Sequence, residues 1–456
     1  MCVRKYTQLA YKDANNMVFG KALHPLRYGL GLSVGECRVI PELKYWPNRT
    51  ADESGRLVAE FVSITRDALE RAIDLGVQAL QLETELNHVA TLNPRLAREI
   101  VEAQKGLMES YHKEYGIALA LRVTIADVRW TREVSKEEAL TRMLEAFEET
   151  AAAGVDVVSI ESIGGKEVSD YSIIRNDIKG IILSLGVLAP RDVEKLWKEI
   201  FSITSKYGVL AGGDSACGFS NTAMKLAGGF KQKMLPHVLA AVVRAMSAVR
   251  TLKAFEAGAQ GPGKDCAYEN VIVKAITGYP MAMEGKSAAI AHSSLVGNVA
   301  AAACDLWSNE QVENLKLFGG TAPQVCLEIL YYDCEVMNAA LEAGYEENYR
   351  ELLVSSNAWR DPQALVLAPR FAWEIAKAIV MENDDYRRVL SAGLRAVELI
   401  NREWKSGKLK LDRREVEYIH KLDQEFKSLP DDEETFLSNV ATLYESKIKV
   451  KLSDYL

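Results

Sequence analysis

Hydrophobic and polar positions follow two alternating periods from about residue 55 onward. Stretches with apolar residues at helical spacing end at a glycine, and each is followed by a short apolar run typical of a buried strand. The first such stretch ends at Leu75 and Gly76 and continues as GVQALQLETE. The next begins near Pro94, ends at Gly116 and leads into IALALRV. The pattern predicts consecutive helix-strand units.

Two further units repeat the pattern. Ser135 and Glu138 form a capping box at the start of a helix that ends at Gly154, and VDVVSI follows as a strand. Pro190 lies near the start of another amphipathic helix, and VLAGG follows Gly208. Residues 236–250 continue the pattern as a helix, and we interpret LKAFEA as the strand after it.

Consecutive units of this kind predict a parallel sheet with helices outside it, and their number favours closure into a (β/α)8 TIM barrel. A doubly wound open sheet is the alternative, but GLGLSVG at residues 29–35 lacks the GxGxxG spacing that such folds often carry. Beyond about residue 325 the pattern is helical. We expect an N-terminal segment packed on the barrel (1–54), a catalytic barrel (55–325) and a helical region (326–456).

Composition narrows the function classes. The chain has 55 Lys and Arg against 63 Asp and Glu, a net charge of −8, which argues against nucleic acid or an anionic membrane as the main partner. Its start lacks the apolar stretch of a secretory signal, so we expect a cytoplasmic protein with reduced thiols. Three of the seven cysteines, Cys304, Cys326 and Cys334, lie in helical apolar surroundings and are expected to act as small hydrophobic residues.

Candidate chemistry lies at three predicted strand ends. Glu161, Cys217 and Cys266 each follow a strand that runs into small residues, and such ends converge in a barrel. One carboxylate and two thiolates suit a zinc ion with an open fourth position, although two ordinary reduced cysteines near strand ends would show the same spacing. Asp214 is either a hydrogen-bond acceptor for bound alcohol or solvent, or a helix N-cap.

Other motifs favour structural roles. The segment GAQGPGKD, residues 258–265, nearly matches a phosphate loop, but Asp265 stands where a Ser or Thr hydroxyl is required, so nucleotide binding is not expected. His292 is either a structural histidine or part of a pocket. The acidic run at residues 431–434 is interpreted as the first turn of a helix.

Four longer segments carry a family resemblance: SIESIGGKEVSDYSIIRNDI, GGDSACGFSNTAM, EAGAQGPGKDCAYENVIVKAITGYPMAMEGK and DPQAL. They resemble the zinc-dependent methanol:corrinoid methyltransferase family of methanogens and acetogens. The similarity extends from MVFGKA at residues 17–22 to LPDD near the C-terminus. It implies a (β/α)8 barrel with added helical parts, and zinc ligands at Glu161, Cys217 and Cys266.

The resemblance also implies a reaction, in which the methyl group of methanol passes to the Co(I) corrinoid of a separate corrinoid protein and gives methyl-Co(III), while zinc activates the methanol oxygen. The chain lacks the Asp-x-His-x-x-Gly pattern of corrinoid carriers, so the corrinoid is expected to arrive on a partner. A homodimer, or a higher complex with that partner, is expected. The alternatives are a zinc methyltransferase for another methyl donor or a thiol, a lyase or isomerase on a barrel, and a non-catalytic assembly subunit.

If the metal lies at the strand ends, the partner must dock over that face. The loops 162–170, 218–222 and 258–265 follow the three strands and predict the docking surface, with Lys166 and Lys264 as candidate charged residues on its rim.

Overall fold

The computed structural model shows a single sheet curled into a barrel and surrounded by helices. It describes residues 5–47, 54–131, 133–228, 234–264, 268–291, 294–448 and 451–455.

The strands of the barrel are parallel, and their order follows the chain around the ring: β3, β4, β5, β6 and β7 in one direction, and β9 and β8 on the other side of β3. A two-residue strand, β10, also pairs with β3. The strands are β1 (Lys21–Tyr28), β2 (Leu32–Glu36), β3 (Ile40–Trp46), β4 (Ala79–Glu85), β5 (Ala118–Ile125), β6 (Val157–Ile160), β7 (Leu210–Asp214), β8 (Ala282–Glu284), β9 (Leu306–Ser308), β10 (Val312–Glu313), β11 (Lys316–Leu317) and β12 (Gly320–Thr321).

A short segment, residues 259–264, fills the eighth position of the wall, between β7 and β8. The amide of Gly261 donates to the carbonyl of Ala211 in β7 over 3.2 Å. On its other side, Gly263 forms a parallel bridge with Met281, directly before β8. A side chain at Gly263 would overlap the Met281 sulfur, so the close approach requires glycine. The ring of seven strands and this segment confirms the predicted (β/α)8 barrel.

The helices form the outer layer and the C-terminal part. Asn93 caps α3, Ser135 caps α4, and Asp432 accepts the amide of Thr435 at the start of α19 over 2.8 Å, so the acidic run is confirmed as a helix start. The helices are α1 (Ser54–Asp74), α2 (His88–Leu92), α3 (Pro94–Tyr115), α4 (Lys136–Ala152), α5 (Lys166–Ile174), α6 (Ile178–Leu183), α7 (Ala189–Tyr207), α8 (Cys217–Ala227), α9 (His237–Glu256), α10 (Asn270–Thr277), α11 (Lys286–Ala291), α12 (Gly297–Ala301), α13 (Ala322–Glu342), α14 (Glu346–Asn357), α15 (Pro362–Leu367), α16 (Pro369–Val380), α17 (Asp385–Lys405), α18 (Arg413–Lys427) and α19 (Glu433–Ile448).

The interpretation of LKAFEA as a strand is wrong. These residues form the end of α9 and the residue after it, and every α9 residue from Val238 to Glu256 is buried. The helices α7, α8, α15 and α17 pack around α9 and leave it no solvent-exposed face. A helix buried on all sides has the same continuous apolar pattern as a buried strand, so periodicity does not separate the two.

The N-terminal hairpin of β1 and β2 covers the amino end of the barrel. Leu30, in its turn, bridges to Leu119 in β5. Leu32 and Val34 are buried in a small apolar cluster with residues at the starts of barrel strands, among them Ile40 and Leu306. The carboxyl ends of the strands lie on the opposite side.

The C-terminal helices divide between two tasks. The first, α13, packs on α1 and β3 and takes the eighth helix position around the barrel. The proposed boundary between residues 325 and 326 falls inside α13, and the division into parts stays a prediction. The helices α15, α16 and α17 cover α9 and α10 from outside. Within the ranges described above, no helix is long and apolar enough to cross a membrane.

Candidate active site at the carboxyl end of the barrel

Lys264 lies inside the carboxyl end of the barrel, where its side chain is 2% exposed. Its ammonium group is 2.5 Å from Glu83, contacts Glu85, and is 3.3 Å from Glu161 Oε1. Burial by itself lowers the pKa of Lys264, but the carboxylates outweigh burial and raise the pKa above its ordinary value. The expectation of an exposed rim lysine is therefore wrong, because residues 259–264 form barrel wall and not a surface loop.

A second buried lysine lies beside it. Lys44, on β3, contacts the Glu284 carboxylate at the end of β8 and is 3.4 Å from Glu85. Burial raises the pKa of Glu284 to about 8, even though Lys44 acts in the opposite direction. The two lysines and their carboxylates thus form one connected group at this end of the barrel.

Glu161 follows β6 directly and belongs to the same group. Its side chain is 32% exposed, more than its neighbours, so it is the carboxylate most open to the barrel mouth. Burial raises the pKa of Glu161, and the Lys264 ammonium group lowers it. The predicted position at a strand end is confirmed.

Cys217 is the first residue of α8, three residues beyond the end of β7, and is 8% exposed. The Asn221 side-chain amide donates to its sulfur over 2.9 Å. A helix N-terminus and a nearby donor both favour the thiolate form of a cysteine. Cys217 is disulfide-bonded in this structure, so a role as a thiolate ligand requires reduction.

Cys266 and His292 lie outside the described residues, but the chain on both sides of Cys266 is described. Lys264 precedes it and contacts Glu161, as given above. Glu269 follows it, and its Oε1 accepts the amide of Ala216, next to Cys217, over 2.8 Å. The segment that carries Cys266 therefore enters and leaves beside the other two candidate ligands. Among the residues described, which omit Cys266, no three His, Cys, Asp or Glu side chains are grouped to hold a metal.

Asp214 ends β7 and has all its contacts within the protein core. Its carboxylate accepts the Ser162 amide at 3.0 Å and the Ser162 hydroxyl at 2.7 Å. It also accepts the Trp197 indole N–H at 2.9 Å and pairs with Arg250 at 2.8 Å. The helix α8 begins without a side-chain cap, so Asp214 does not serve as its N-cap. Its role as an acceptor for bound alcohol stays a prediction.

The loop after β6 is clamped from a second side. The Ile163 amide donates to Asp127 over 2.9 Å, and Asp127 pairs with Arg129, which also pairs with Asp192 at 2.6 Å. A side chain at Gly164 would overlap the Asp192 carboxylate, which explains the small residues after Glu161. Lys166 follows at the start of α5 with its side chain 28% exposed.

Two of the three cysteines that were predicted to act as small hydrophobic residues are buried, and the third is partly buried. Cys304 and Cys334 are buried and free, and burial raises the pKa of both thiols, which keeps them protonated. Cys326 is free and only partly buried.

Comparison with known proteins now adds to this geometry. The sequence model described as "MtaB: Methanol-cobalamin methyltransferase B subunit" matches residues 3–455. The chain belongs to this family of methyltransferases. It is 44% identical over 454 residues to a methanol–corrinoid protein co-methyltransferase of Methanosarcina barkeri (strain Fusaro / DSM 804), an alignment that spans 99% of this chain and 98% of that protein.

A solved structure agrees with the family assignment. The structure titled "Crystal structure of methanol:cobalamin methyltransferase complex MtaBC from Methanosarcina barkeri" contains a chain that is 43% identical, with a TM-score of 0.95 and 99% of each chain covered. The resemblance found in the four sequence segments is confirmed, and with it the fold.

Sequence reasoning missed the buried charges of this methyltransferase family member. Glu83 and Glu85 lie two residues apart in β4, with Gln81 two residues before them, so all three share one face of the strand. Glu42 and Lys44 occupy alternate positions of β3 in the same way. Charged residues at every second position of a barrel strand are the signal that would have found them.

Proposed function

We propose that this chain transfers the methyl group of methanol to the Co(I) corrinoid of a separate corrinoid protein, at a zinc site formed by Glu161, Cys217 and Cys266. Family membership supports the reaction class. The observation that carries the site is the pair of contacts on either side of Cys266: Lys264 with Glu161, and Glu269 with the amide next to Cys217. The three segments therefore meet at the carboxyl face, where barrel enzymes hold their active sites.

The donor set fits zinc. One carboxylate and two thiolates leave a fourth position open for a substrate oxygen, as in catalytic zinc sites. The charge of the surroundings also favours a cation, because the three carboxylates of Glu83, Glu85 and Glu161 face the two ammonium groups of Lys44 and Lys264 even when Glu284 is protonated. Bound zinc would supply a Lewis acid for the charge that develops on the methanol oxygen.

Methyl transfer from methanol to Co(I) must account for each electron pair and for one proton. The electron pair of Co(I) forms the new bond to carbon, the C–O bond breaks with its pair on oxygen, and the resulting hydroxide must take up a proton to leave as water. Among the described groups at this end, Glu284, with its pKa of about 8, retains a proton near neutral pH, and we assign it as the candidate donor.

The barrel residues have two other tasks in this proposal. Lys264 holds Glu161 beside the carboxylates of Glu83 and Glu85, so the candidate ligand does not turn away from the mouth. Residues 162–165 form a loop after β6, whereas residues 166–170 and 218–222, which were predicted as loops, lie in the first turns of α5 and α8. These segments follow the carboxyl ends of β6 and β7, and we expect the corrinoid protein to dock on them. The name of the solved complex, a methanol:cobalamin methyltransferase complex, supports a two-protein arrangement.

The test is metal analysis of the reduced protein combined with methyl transfer from methanol to free cob(I)alamin. About one zinc per chain and turnover with methanol are expected, and Cys266→Ala should lose both. Turnover with a thiol or methylamine in place of methanol would instead favour the related zinc methyltransferases. Binding to a corrinoid protein without any turnover would favour an assembly subunit.

A further inference from the structure

Ser162, the residue directly after Glu161, has each of its polar atoms held by a buried charge. Its amide and hydroxyl donate to the two oxygens of Asp214, at 3.0 and 2.7 Å. Its carbonyl accepts from Arg250 at 2.7 Å. The side chains of Asp214 and Arg250 are completely buried. Asp214 therefore holds the peptide unit that joins Glu161 to Ser162 through its amide, and Arg250 holds the following peptide unit through its carbonyl.

A similar contact fixes the chain beside Cys217. The Ala216 amide donates to Glu269 Oε1 at 2.8 Å, and the same oxygen accepts the Thr251 hydroxyl of α9 at 2.8 Å. Glu269 is fully buried. The carboxylate thus links the loop after β7 to α9 and to the segment that follows Cys266.

The two contacts connect neighbouring units of the barrel in the same way. Asp214 ends β7 and holds the loop of the neighbouring strand, β6. Glu269 follows residues 259–264 and holds the loop of their neighbour, β7. In both cases the next unit of the barrel supplies a buried carboxylate to the ligand-bearing loop before it.

We infer that Asp214 and Glu269 are positioning residues that hold Glu161 and Cys217 in the arrangement a metal requires. The inference rests on the proposed zinc site. Preorganised ligands bind a metal more tightly because their conformational entropy is lost on folding and not on binding. Outer partners of metal ligands usually contribute about 10- to 100-fold to affinity.

The chain offers a matched control at the other end of the barrel. Asp305 is fully buried, pairs with Lys274 of α10 at 2.8 Å and accepts the Met281 amide at 2.9 Å. It therefore repeats the chemistry of Asp214, a buried ion pair with a helix cation plus a main-chain amide, but directly before β9 and far along the strands from Glu161.

The experiment compares Asp214→Asn, Glu269→Gln and Asp305→Asn in reduced, metal-free protein. The zinc dissociation constant is measured by competition with a chromophoric chelator, and the melting temperature is measured without metal. We expect the first two variants to raise the dissociation constant about 10- to 100-fold. Asp305→Asn should lower the melting temperature as they do but leave the dissociation constant within about twofold of the unmodified protein. Equal zinc affinity in all three variants and the unmodified protein would overturn the inference, as would an equal loss in all three.

Gentler variants keep the inference testable if either carboxylate variant does not fold. Ser162→Ala removes the hydroxyl that Asp214 accepts, and Thr251→Val removes the hydroxyl that Glu269 accepts. Each should raise the zinc dissociation constant several-fold, and an unchanged value in both would contradict the inference. Failure of the proposed function has a different signature, because the unmodified protein would then bind no zinc in the same titration.

Discussion

The two ends of the barrel are built from the same strands but balance their buried charge differently. Two other buried pairs in the barrel are one to one: Arg122 with Glu42 at 2.8 Å, level with Glu83, and Lys274 with Asp305 at 2.8 Å, near the amino end. At the carboxyl end two lysines face the three carboxylates of Glu83, Glu85 and Glu161, in addition to Glu284, which keeps a proton near neutral pH. A protein that only needed a folded barrel would have no reason to leave such an excess, since unpaired buried charge is costly. We therefore take the imbalance as support for the cation site proposed at this end.

The two ends of the barrel also differ in how far side chains close them to solvent. The β1–β2 hairpin closes the amino end with Leu32 and Val34, and its Tyr28 hydroxyl donates to Gln81 at 2.5 Å inside the barrel. The carboxyl end keeps Glu161 partly exposed. One end is thus closed by apolar side chains, and the other, where we propose that substrate binds, stays partly open.

The largest expected difference between the ends is in metal content. Cys217→Ala should remove zinc and turnover while the melting temperature of the metal-free protein changes little, because the proposed ligand is lost but the barrel core is not. Metal analysis and methanol-dependent methyl transfer under reducing conditions measure this. Cys304→Ala, at a buried free cysteine near the amino end, is the control and should keep its zinc. Full activity of Cys217→Ala would contradict the assignment of Cys217 as a zinc ligand.

A substitution in the apolar cluster at the amino end should change the stability of the protein and not its zinc content. Leu32→Ala removes a side chain that is 1% exposed and should lower the free energy of unfolding by about 2–5 kcal/mol, with unchanged zinc content. Denaturant unfolding measures the effect. Leu23→Ala, in the same hairpin but 48% exposed, should cost less than about 0.5 kcal/mol. A loss of zinc in Leu32→Ala would show that the two ends are not independent.

A pH dependence should separate two carboxylates of the open end. The pKa of Glu284 is raised from 4.5 to about 8, so the metal-free folded state binds this proton more tightly than the unfolded state. The resulting stability is complete below pH 4.5 and is lost as the pH rises through 8, at up to roughly 1.4 kcal/mol per pH unit. Glu284→Gln should remove this slope in unfolding measured from pH 5 to 8.

Glu83 supplies the control for that measurement. Burial alone raises the pKa of Glu83, but Lys264 and Lys44 outweigh it and lower the pKa to about 2. Its stabilising contribution is therefore present above pH 4.5 and is lost only as the pH falls through 2. Glu83→Gln should keep the slope of the unmodified protein between pH 5 and 8. The same slope in Glu284→Gln would contradict the assignment of Glu284.

The smallest expected effect concerns docking. Lys166→Glu, at the partly exposed start of α5, should weaken methyl transfer to the corrinoid protein several-fold more than transfer to free cob(I)alamin, since the free cofactor needs no protein contact. Lys206→Glu, at the end of α7 on the opposite face, is 62% exposed and should change neither rate. Equal losses with both acceptors for Lys166→Glu would place this lysine in the chemistry or in folding.

The sequence predicted the barrel where each unit contains an amphipathic helix, a glycine stop and an apolar strand. It predicted α9 as a helix only over residues 236–250 and assigned its end, LKAFEA, to a strand, because this helix is buried on all sides. It did not predict the wall segment 259–264, which is tied to β8 through a single bridging residue, Gly263, and has no periodic pattern. The candidate ligands came from strand-end spacing and from family resemblance. The burial of Lys264 could not be foreseen, because it depends on which segment completes the ring.

That completing segment is a seam in the barrel. It is joined to β7 and β8 by short sets of backbone hydrogen bonds, without the long ladders seen between β4 and β5. The proposed ligands Glu161 and Cys217 follow strands on one side of the seam, and Cys266 follows the seam in the sequence. A metal bound by all three residues would link this segment to its neighbours. Its removal should therefore speed amide hydrogen exchange at residues 259–264 before it speeds exchange in the other barrel strands.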